Sequence, residues 1–448
     1  MKVHVKRLLI MSAFLAGIQL ADAQTFTNLY SFTGGDDGEF PACSLIQTGD
    51  GLLYGTTQTG GINGFGTVFR VTTGGTLTTI HSFSQTGADG SNPRGSLMQA
   101  GYGTIYGMTF KGGTHNVGAI FRVVFAAAPT AFSFSATNGS GPSHGALIQA
   151  SDGNFYGTTQ LGGGLSHGSI FRFADDGSGS NNLLYSFGSQ ASDGGSPVAG
   201  LVQASDGNLY GTTFTGGGGG GTIFKITTNG VYTSLYSFAS GNDGANPEAG
   251  LMQASDGNLY GTTSGGGTNS YGTIYRITTN GDYASLYSFT GGNDGAAPSD
   301  DLIQAADGNL YGTTSGGGAD FDGTIFKFTT NGVFTLLYTF TGGDDGSSPG
   351  AALMQAADGN LYGTTSAGGA DGYGTVFKLT IASPPALNIS SGGNQSALYW
   401  AGSSTNYLVQ SVTNLACTNW VTITNGTPIV GVTVSNTAPA QFFRLVTP

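Results

Sequence analysis

Residues 256–263 read Asp-Gly-Asn-Leu-Tyr-Gly-Thr-Thr (DGNLYGTT), and the chain repeats this stretch along most of its length. Tyr-Gly-Thr-Thr or a close variant begins at Tyr54, Tyr106, Tyr156, Tyr210, Tyr260, Tyr311 and Tyr362. The successive spacings are 52, 50, 54, 50, 51 and 51 residues. Seven copies with so little drift are the mark of a repeat architecture.

Outward from Tyr260, the fifth copy contains four short apolar or β-branched runs: Leu251 to Ala254, Leu259 to Thr263, Thr273 to Thr278 and Tyr283 to Phe289. We call these strands a, b, c and d. Ser255-Asp256-Gly257-Asn258 joins a to b, and Thr279-Asn280-Gly281-Asp282 joins c to d. Asp-Gly and Asn-Gly between apolar runs predict hairpin turns, because the turn needs positive φ and these residues adopt it at low cost. Four antiparallel strands every fifty residues predict blades of a β-propeller. A parallel β-helix is the competing repeat, but its coils are shorter and lack two hairpin turns per copy.

The repeat region opens with a lone d-type strand, Phe26 to Phe32 (FTNLYSF), and its last copy stops after the c run Thr375 to Thr380. The first strand is therefore expected to complete the last blade and close the ring, which removes exposed sheet edges. The predicted fold is all-β: a seven-bladed β-propeller with four-stranded blades over 24–382, followed by a small β-sandwich-like domain over 386–448. That second segment follows the Pro384-Pro385 linker and contains the runs Ala397–Trp400, Tyr407–Val412, Trp420–Ile423, Val430–Val434 and Phe442–Val446. It reads as an immunoglobulin-like or fibronectin-like module with Trp400 and Trp420 in its core.

The first 23 residues read as a signal peptide. Lys2, Lys6 and Arg7 precede an apolar run from Leu8 to Leu20, and Ala21-Asp22-Ala23 offers a small-x-small cleavage site. That run is short for a retained membrane anchor, and no later run is apolar enough to span a bilayer. The expected mature chain is a secreted or cell-surface monomer without a membrane span. It would hold 10 Lys and Arg against 24 Asp and Glu. So acidic a chain repels phosphate backbones, which argues against nucleic-acid partners. Cys43 and Cys417 could pair outside the cell, although each also reads as an ordinary small apolar residue.

Each c run carries one cation: Arg70, Arg122, Arg172, Lys225, Arg276, Lys327 and Lys378. Partners for them are expected in the a–b turns, at Asp50, Asp152, Asp206, Asp256, Asp307 and Asp358. The Gly of Tyr-Gly-Thr-Thr is expected to let neighbouring sheets approach closely.

Antiparallel order puts the short a–b and c–d turns on one side of the disc and the longer b–c and d–a loops on the other. The d–a loops carry Asp-Gly-x-x-Pro at Asp37, Asp89, Asp193, Asp243, Asp294 and Asp345, with Asn138 in the third copy. Variable loops on a rigid scaffold are the usual place for binding. Those six aspartates are accordingly the candidate ligand-binding residues, and an extracellular glycan or protein is the expected partner. Other acids share that face, among them Glu39, Glu248, Asp300, Asp301 and Asp371. Asp36, Asp320, Asp322 and Asp344 are candidate Ca²⁺ ligands, since Ca²⁺ takes clustered oxygens in flexible geometry. No loop has the EF-hand spacing, and no cofactor is otherwise expected. No residues are assigned as catalytic. His81 reads as a packing substitute for a d-strand Tyr, while His115, His144 and His167 could converge on the long-loop side. The leading reading is a binding scaffold rather than an enzyme. The alternative is a carbohydrate-active propeller, a glycoside hydrolase or polysaccharide lyase, built on paired acids in a central funnel.

The seven copies of D-G-N-L-Y-G-T-T, G-T-I-F-K-I-T and L-Y-S-F resemble the Gloeo/Verruco (GloVer) tandem repeat, over roughly residues 25–380. The blade is also similar to the two-component-regulator propeller repeat with its D-G-x-L-W-x-G-T core. The resemblance implies an exterior bacterial protein of the choice-of-anchor type, in which the array is often followed by a sorting signal. It supplies no catalytic residues. This chain lacks the terminal apolar helix and basic tail of that pattern.

Overall fold

The computed structural model describes residues 24–41, 43–85, 89–123, 130–142, 145–174, 181–190 and 192–381, together with six backbone strands beyond residue 386. The proposed signal peptide (1–23), His144 and Cys417 lie outside the described residues, as do the side chains of Trp400 and Trp420.

Thr25–Ile381 form one compact unit of seven antiparallel sheets. Six blades are built from consecutive strands; the seventh draws its d strand from the N-terminus. Thr25–Ser31 pairs with Thr375–Thr380, from Thr25 opposite Thr380 to Ser31 opposite Thr375. The ring is closed as the incomplete last copy requires. The second blade carries an additional three-residue strand, Ser91–Pro93, paired to its b strand. No helix occurs among the described residues. Beyond Ala382 the chain forms two three-stranded sheets: Leu387–Gly392, Gln395–Trp400 and Gly431–Ser435 in one, Val421–Thr422, Leu408–Val412 and Phe442–Val446 in the other.

In the fifth blade the strands are Met252–Gln253, Leu259–Thr263, Thr273–Ile277 and Tyr283–Ser288. The a strand is half the expected length, because only Met252 and Gln253 face the b strand, opposite Tyr260 and Leu259. The d strand bulges: Ile274 pairs with Tyr287 and Tyr275 with Ser285, leaving Leu286 as the extra residue. Leu286 packs instead with Leu302, Leu310 and Phe326 of the sixth blade.

There is no single core. Seven apolar clusters each straddle one blade junction; Tyr210, Ile223 and Phe238 of the fourth blade, for example, pack on Leu251, Leu259 and Tyr275 of the fifth. Both faces of every sheet are therefore buried, which is why the c runs do not alternate apolar with polar. On one side of the ring an aromatic ladder reinforces the junctions. Tyr185 stacks on Tyr232, Tyr236 on Tyr283, Tyr287 on Phe334 and Tyr338 on Phe26, with centroids 3.9–4.5 Å apart.

Two repeated devices register neighbouring blades. The glutamine ending each a strand donates to a carbonyl of its own a–b turn and accepts an N–H from the turn of the preceding blade. Gln253 Nε2 donates to Gly257 O at 2.9 Å, while its Oε1 accepts from Ser205 N at 2.8 Å. Among the described residues this clasp bridges six junctions, including the closure, where Ala357 N donates to Gln47 Oε1 at 2.7 Å. On the opposite side, the loop proline of one blade abuts the glycine before the c strand of the blade preceding it. At the closure, a Cβ on Gly374 would lie 2.7 Å from Pro41 Cδ. The glutamine clasp predicts that Gln253→Ala lowers stability by about 1 kcal/mol, as typical for a partly exposed hydrogen-bonding side chain. Urea unfolding checks this, and an unchanged midpoint would remove the clasp's energetic role.

Two expectations are corrected. The glycine of Tyr-Gly-Thr-Thr does not serve sheet-to-sheet approach. It makes room within its own blade for the c-strand ring and the a-strand leucine: a Cβ on Gly55 would lie 2.6 Å from Phe69 Cζ and 2.8 Å from Leu45 Cδ2. Nor do the a–b aspartates form contact ion pairs with the c-strand cations; among the described residues the one ion pair is His81–Asp89. Each aspartate instead accepts from the b-strand tyrosine, as Asp256 does from Tyr260 at 2.8 Å, and from the residue two on, an Asn in five copies and Leu52 N for Asp50. Burial opposes the Asp256 charge, but those bonds and the more distant Arg276 hold the carboxyl below its usual range. Burial and the same bond push Tyr260 up to about 12. In the second blade, which lacks the aspartate, Tyr102 takes its place and bonds Tyr106 at 2.7 Å.

Candidate functional site

The loop aspartates expected to bind ligand are placed on the long-loop side, and their carboxylates are engaged by their own loops. Asp243 accepts from Tyr236 Oη at 3.0 Å, Ala239 N at 2.9 Å and Gly241 N at 3.1 Å. Asp37, Asp294 and Asp345 hold Tyr30, Tyr287 and Tyr338 in the same way, each also accepting from the main-chain N–H of a nearby threonine. Asp193 is 1 % exposed and accepts from Tyr185 at 2.7 Å and from three main-chain N–H groups. Asp89 bonds His81 at 2.5 Å, so this histidine does the work of the tyrosine it replaces. Asn138 accepts from Ser135 N and fills the same turn.

The Ca²⁺ candidates are not gathered into one centre. Asp320 and Asp322 lie on the b–c loop of the sixth blade, Asp344 on the following d–a loop, and Asp36 on the loop entering the first blade. Asp322 is packed against Gly342. No group of three or more His, Cys, Asp or Glu placed to hold a metal occurs among the described residues. His115 bonds the carbonyl of Phe134 at 3.1 Å, and His167 packs on Gly188, so these two serve separate loops. Cys43 is a buried thiol, 2 % exposed, with Sγ 3.2 Å from the carbonyl of Thr56.

The feature that breaks the repeat lies on the ring axis. The a strands of all seven blades surround a central cavity of about 580 Å³. Chain emerging from each loop proline lines it, and most copies supply small residues there. The third residue past the proline is Ser44, Ser96, Gly200, Gly250 or Ala352, but Asp301 in the sixth blade. The second is Cys43, Ala199, Ala249 or Ala351, all at most 4 % exposed, in four copies, Gly95 in the second and His144 in the third, but Asp300 in the sixth. Directly after the fifth blade's proline stands Glu248, where the second blade has Arg94. The cavity thus has one acidic sector, at the fifth and sixth blades, in a wall otherwise made by aliphatic residues such as Leu251, Leu302, Met252 and Met354 and by uncharged polar ones such as Ser44, Ser96 and Gln355.

The sector is electrostatically crowded. Asp300 Oδ2 accepts from Thr313 at 3.4 Å, yet burial and the charges of Asp301 and Glu248 raise its pKa well above the carboxylate range. Asp301 is open to the channel but enclosed by protein on every side. That enclosure raises its pKa despite a 2.5 Å bond from Gly250 N. Burial likewise raises Glu248, against the hydroxyl of Ser264. Behind this wall a second substitution appears. The c-strand ring that is Phe69, Phe121, Phe171, Phe224, Phe326 or Phe377 elsewhere is Tyr275 in the fifth blade. Tyr275 is fully buried and its hydroxyl has no hydrogen-bond partner. The oxygen faces Gly261 and the cavity-lining Leu251, and the charge of Asp301 adds to the burial that raises its pKa.

Sequence reasoning placed Glu248, Asp300 and Asp301 on the correct face but not around one cavity. The legible signal was an acid one, two or three positions before the a-run leucine, where no other copy has one.

Among solved structures, the fold is similar to the extracellular domain of a protein described as a hybrid two-component system from B. thetaiotaomicron. The TM-score is 0.54 at 12% identity, covering 94% of this chain and 55% of that one. A second such domain from B. thetaiotaomicron matches with a TM-score of 0.54 at 12% identity, over 92% of this chain and 55% of its own length. This chain therefore spans little more than half of either, and what is shared is the fold. No curated protein matches this chain. The Gloeobacter/Verrucomicrobia repeat model matches residues 18–145, 126–304 and 205–429, stretches that together take in the whole ring, and the chain belongs to that repeat family.

Proposed function

We propose that the protein is an exported, extracellular binding propeller that receives a glycan or protein ligand on its long-loop face and anchors it in the central channel. The observation that carries this reading is the acidic sector of Glu248, Asp300 and Asp301 in a wall whose remaining residues carry no charge. Asp301 also takes up the Gly250 N–H across the blade junction, a contact that Ser96 makes with a hydroxyl in the second blade, so a carboxylate there is not needed for the contact. The three carboxyls lie in a cavity of the size ligand sites occupy. The extracellular setting of the similar B. thetaiotaomicron domains supports export, together with the signal-peptide pattern of residues 1–23. The loop aspartates Asp37, Asp89, Asp193, Asp243, Asp294 and Asp345 hold the loops that frame the mouth.

A glycan array probed with the wild-type protein and with Asp300→Asn tests the reading, alongside a turnover screen on polysaccharides. Binding without turnover that weakens in the variant is expected; undiminished binding by Asp300→Asn would move the site elsewhere. Glycan cleavage is the second reading. One observation favours it: two neighbouring carboxyls, Asp300 and the more open Asp301, face the same cavity, and burial raises both, Asp300 further through the charge of Asp301. Paired carboxyls are what glycosidases use. Turnover abolished by Asp300→Asn would establish it in place of simple binding.

The same crowding makes a stability prediction. A carboxyl whose folded pKa lies above its unfolded value stabilises the fold only while protonated. That contribution is complete below the unfolded value near pH 4 and is lost as pH rises through the folded one. Asp300→Asn is therefore expected to be more stable than wild type at pH 7, by roughly 1 kcal/mol. The advantage should shrink as pH falls toward 4. Calorimetric melting at both pH values checks the sign.

A further inference from the structure

We propose that the group seated in the channel is a primary ammonium on an aliphatic chain, with its charge among Glu248, Asp300 and Asp301 and its methylenes along Leu251, Leu302, Met252 and Met354. This deepens the channel reading above and rests on it. Three features of the cavity select that chemistry. First, the three carboxyls have no cation of their own, since His81–Asp89 is the one ion pair among the described residues. A ligand cation would offset the burial and the neighbouring charges of Asp301 and Glu248 that disfavour the charged form of Asp300. Second, the cavity wall contains no aromatic residue on which a sugar ring could stack. Its apolar part is Leu, Ile, Val, Met and Ala, which suits a flexible aliphatic body.

Third, Tyr275 places a buried, unpartnered hydroxyl behind the same wall, next to Leu251 and within the field of Asp301. Six copies manage with phenylalanine there. A phenol without a partner is costly, and it stands in the one blade that faces the acids. Tyr275 does not itself line the cavity, so it is coupled to a bound ammonium through Leu251, which does, and through the charge of Asp301.

The charge layout of the ring directs a cation toward the same mouth. Each c-strand cation lies opposite the b-strand tyrosine, as Arg276 does opposite Tyr260, and so belongs to the short-turn end. The long-loop side keeps most of the acids, and of its cations Arg94 is already engaged over the Phe110 ring at 4.0 Å. A cleft lined by one sign of charge focuses the field and raises the local concentration of counter-ions.

Isothermal titration calorimetry of the full chain at pH 7 with n-pentylamine, 1-pentanol and glucosamine tests the proposal. The expected result is 1:1 binding of pentylamine at least tenfold tighter than pentanol. The Asp300→Asn/Asp301→Asn double variant should weaken it at least tenfold. Tyr275→Phe, which reproduces the residue of six other blades and so keeps the fold, should weaken it at least threefold. Pentanol binding as tightly as pentylamine, unchanged affinity in the double variant, or binding of glucosamine alone would overturn the proposal. If the glycan array is positive and Asp300-dependent while pentylamine does not bind, the channel reading stands and the aliphatic amine falls. If neither ligand class binds, both fall.

Discussion

Deleting Thr25–Ser31 is expected to abolish cooperative folding of the ring. The segment supplies the whole outer strand of the last blade, paired with Thr375–Thr380 from end to end. It also supplies Phe26, which stacks on Tyr338 at 4.0 Å and lies 5.6 Å from Phe340 and 5.4 Å from Phe377. Without it the c strand of that blade becomes a free edge of unpaired N–H and C=O groups, a template for pairing between molecules. The last junction also loses its aromatic rung and the face that covers Leu361 and Leu379. Loss of the calorimetric transition, with self-association on a sizing column, is the expected outcome. A deleted chain that melts as a monomer at the wild-type temperature would show that closure contributes little. Phe26→Ala is the graded version. Because this ring is partly exposed, it should cost about 2 kcal/mol, less than the roughly 3–5 kcal/mol of a fully buried phenylalanine.

Gly211→Val is expected to destabilise the fourth blade by about 3 kcal/mol or more. A Cβ at Gly211 would stand 2.6 Å from Phe224 Cζ and 2.8 Å from Leu201 Cδ2. Both neighbours are at most 5 % exposed and locked in the core of a junction, so neither can retreat without opening a gap elsewhere. Four residues earlier, Gly207 offers the matched control. It has φ +82° and nothing within 4 Å of a built Cβ, so Gly207→Ala meets only backbone strain, on the order of 1 kcal/mol. Urea unfolding of the two variants separates steric from conformational need. Equal losses would contradict the cross-strand packing role assigned to Gly211.

The candidate site was half legible. Glu248, Asp300 and Asp301 are the only acids at these positions, which elsewhere hold Ala, Gly, Ser and Cys together with Val198, Arg94 and His144, and antiparallel order alone puts them on the long-loop side. The loop aspartates drew attention because they recur. Recurrence turned out to track a structural task, since Asp243 and its counterparts anchor a tyrosine and cap their own loops. The same holds for the a–b aspartates, whose partner is a tyrosine four residues on rather than a cation on another strand. In a repeat protein the residue that serves the repeat is copied, and the residue that serves a ligand is free to differ. Tyr275 escaped notice for that reason: one hydroxyl among seven aromatic rings carries no pattern.

What the amino-acid order determined by itself was local and periodic: strand positions, hairpin turns, the count of blades and the strand needed to close them. Each follows from φ preferences at Asp-Gly and Asn-Gly and from apolar runs a few residues long, which neighbouring residues settle among themselves. Only the closed ring decided that Glu248 of one blade and Asp300 and Asp301 of the next share a cavity, and that Tyr275 lies behind them. Those residues are about fifty positions apart, and the radius at which seven twisted sheets meet is set by side-chain volume at seven junctions at once. The burial that raises all three carboxyls, and the neighbouring charge that raises Asp300 further, exist only at that radius.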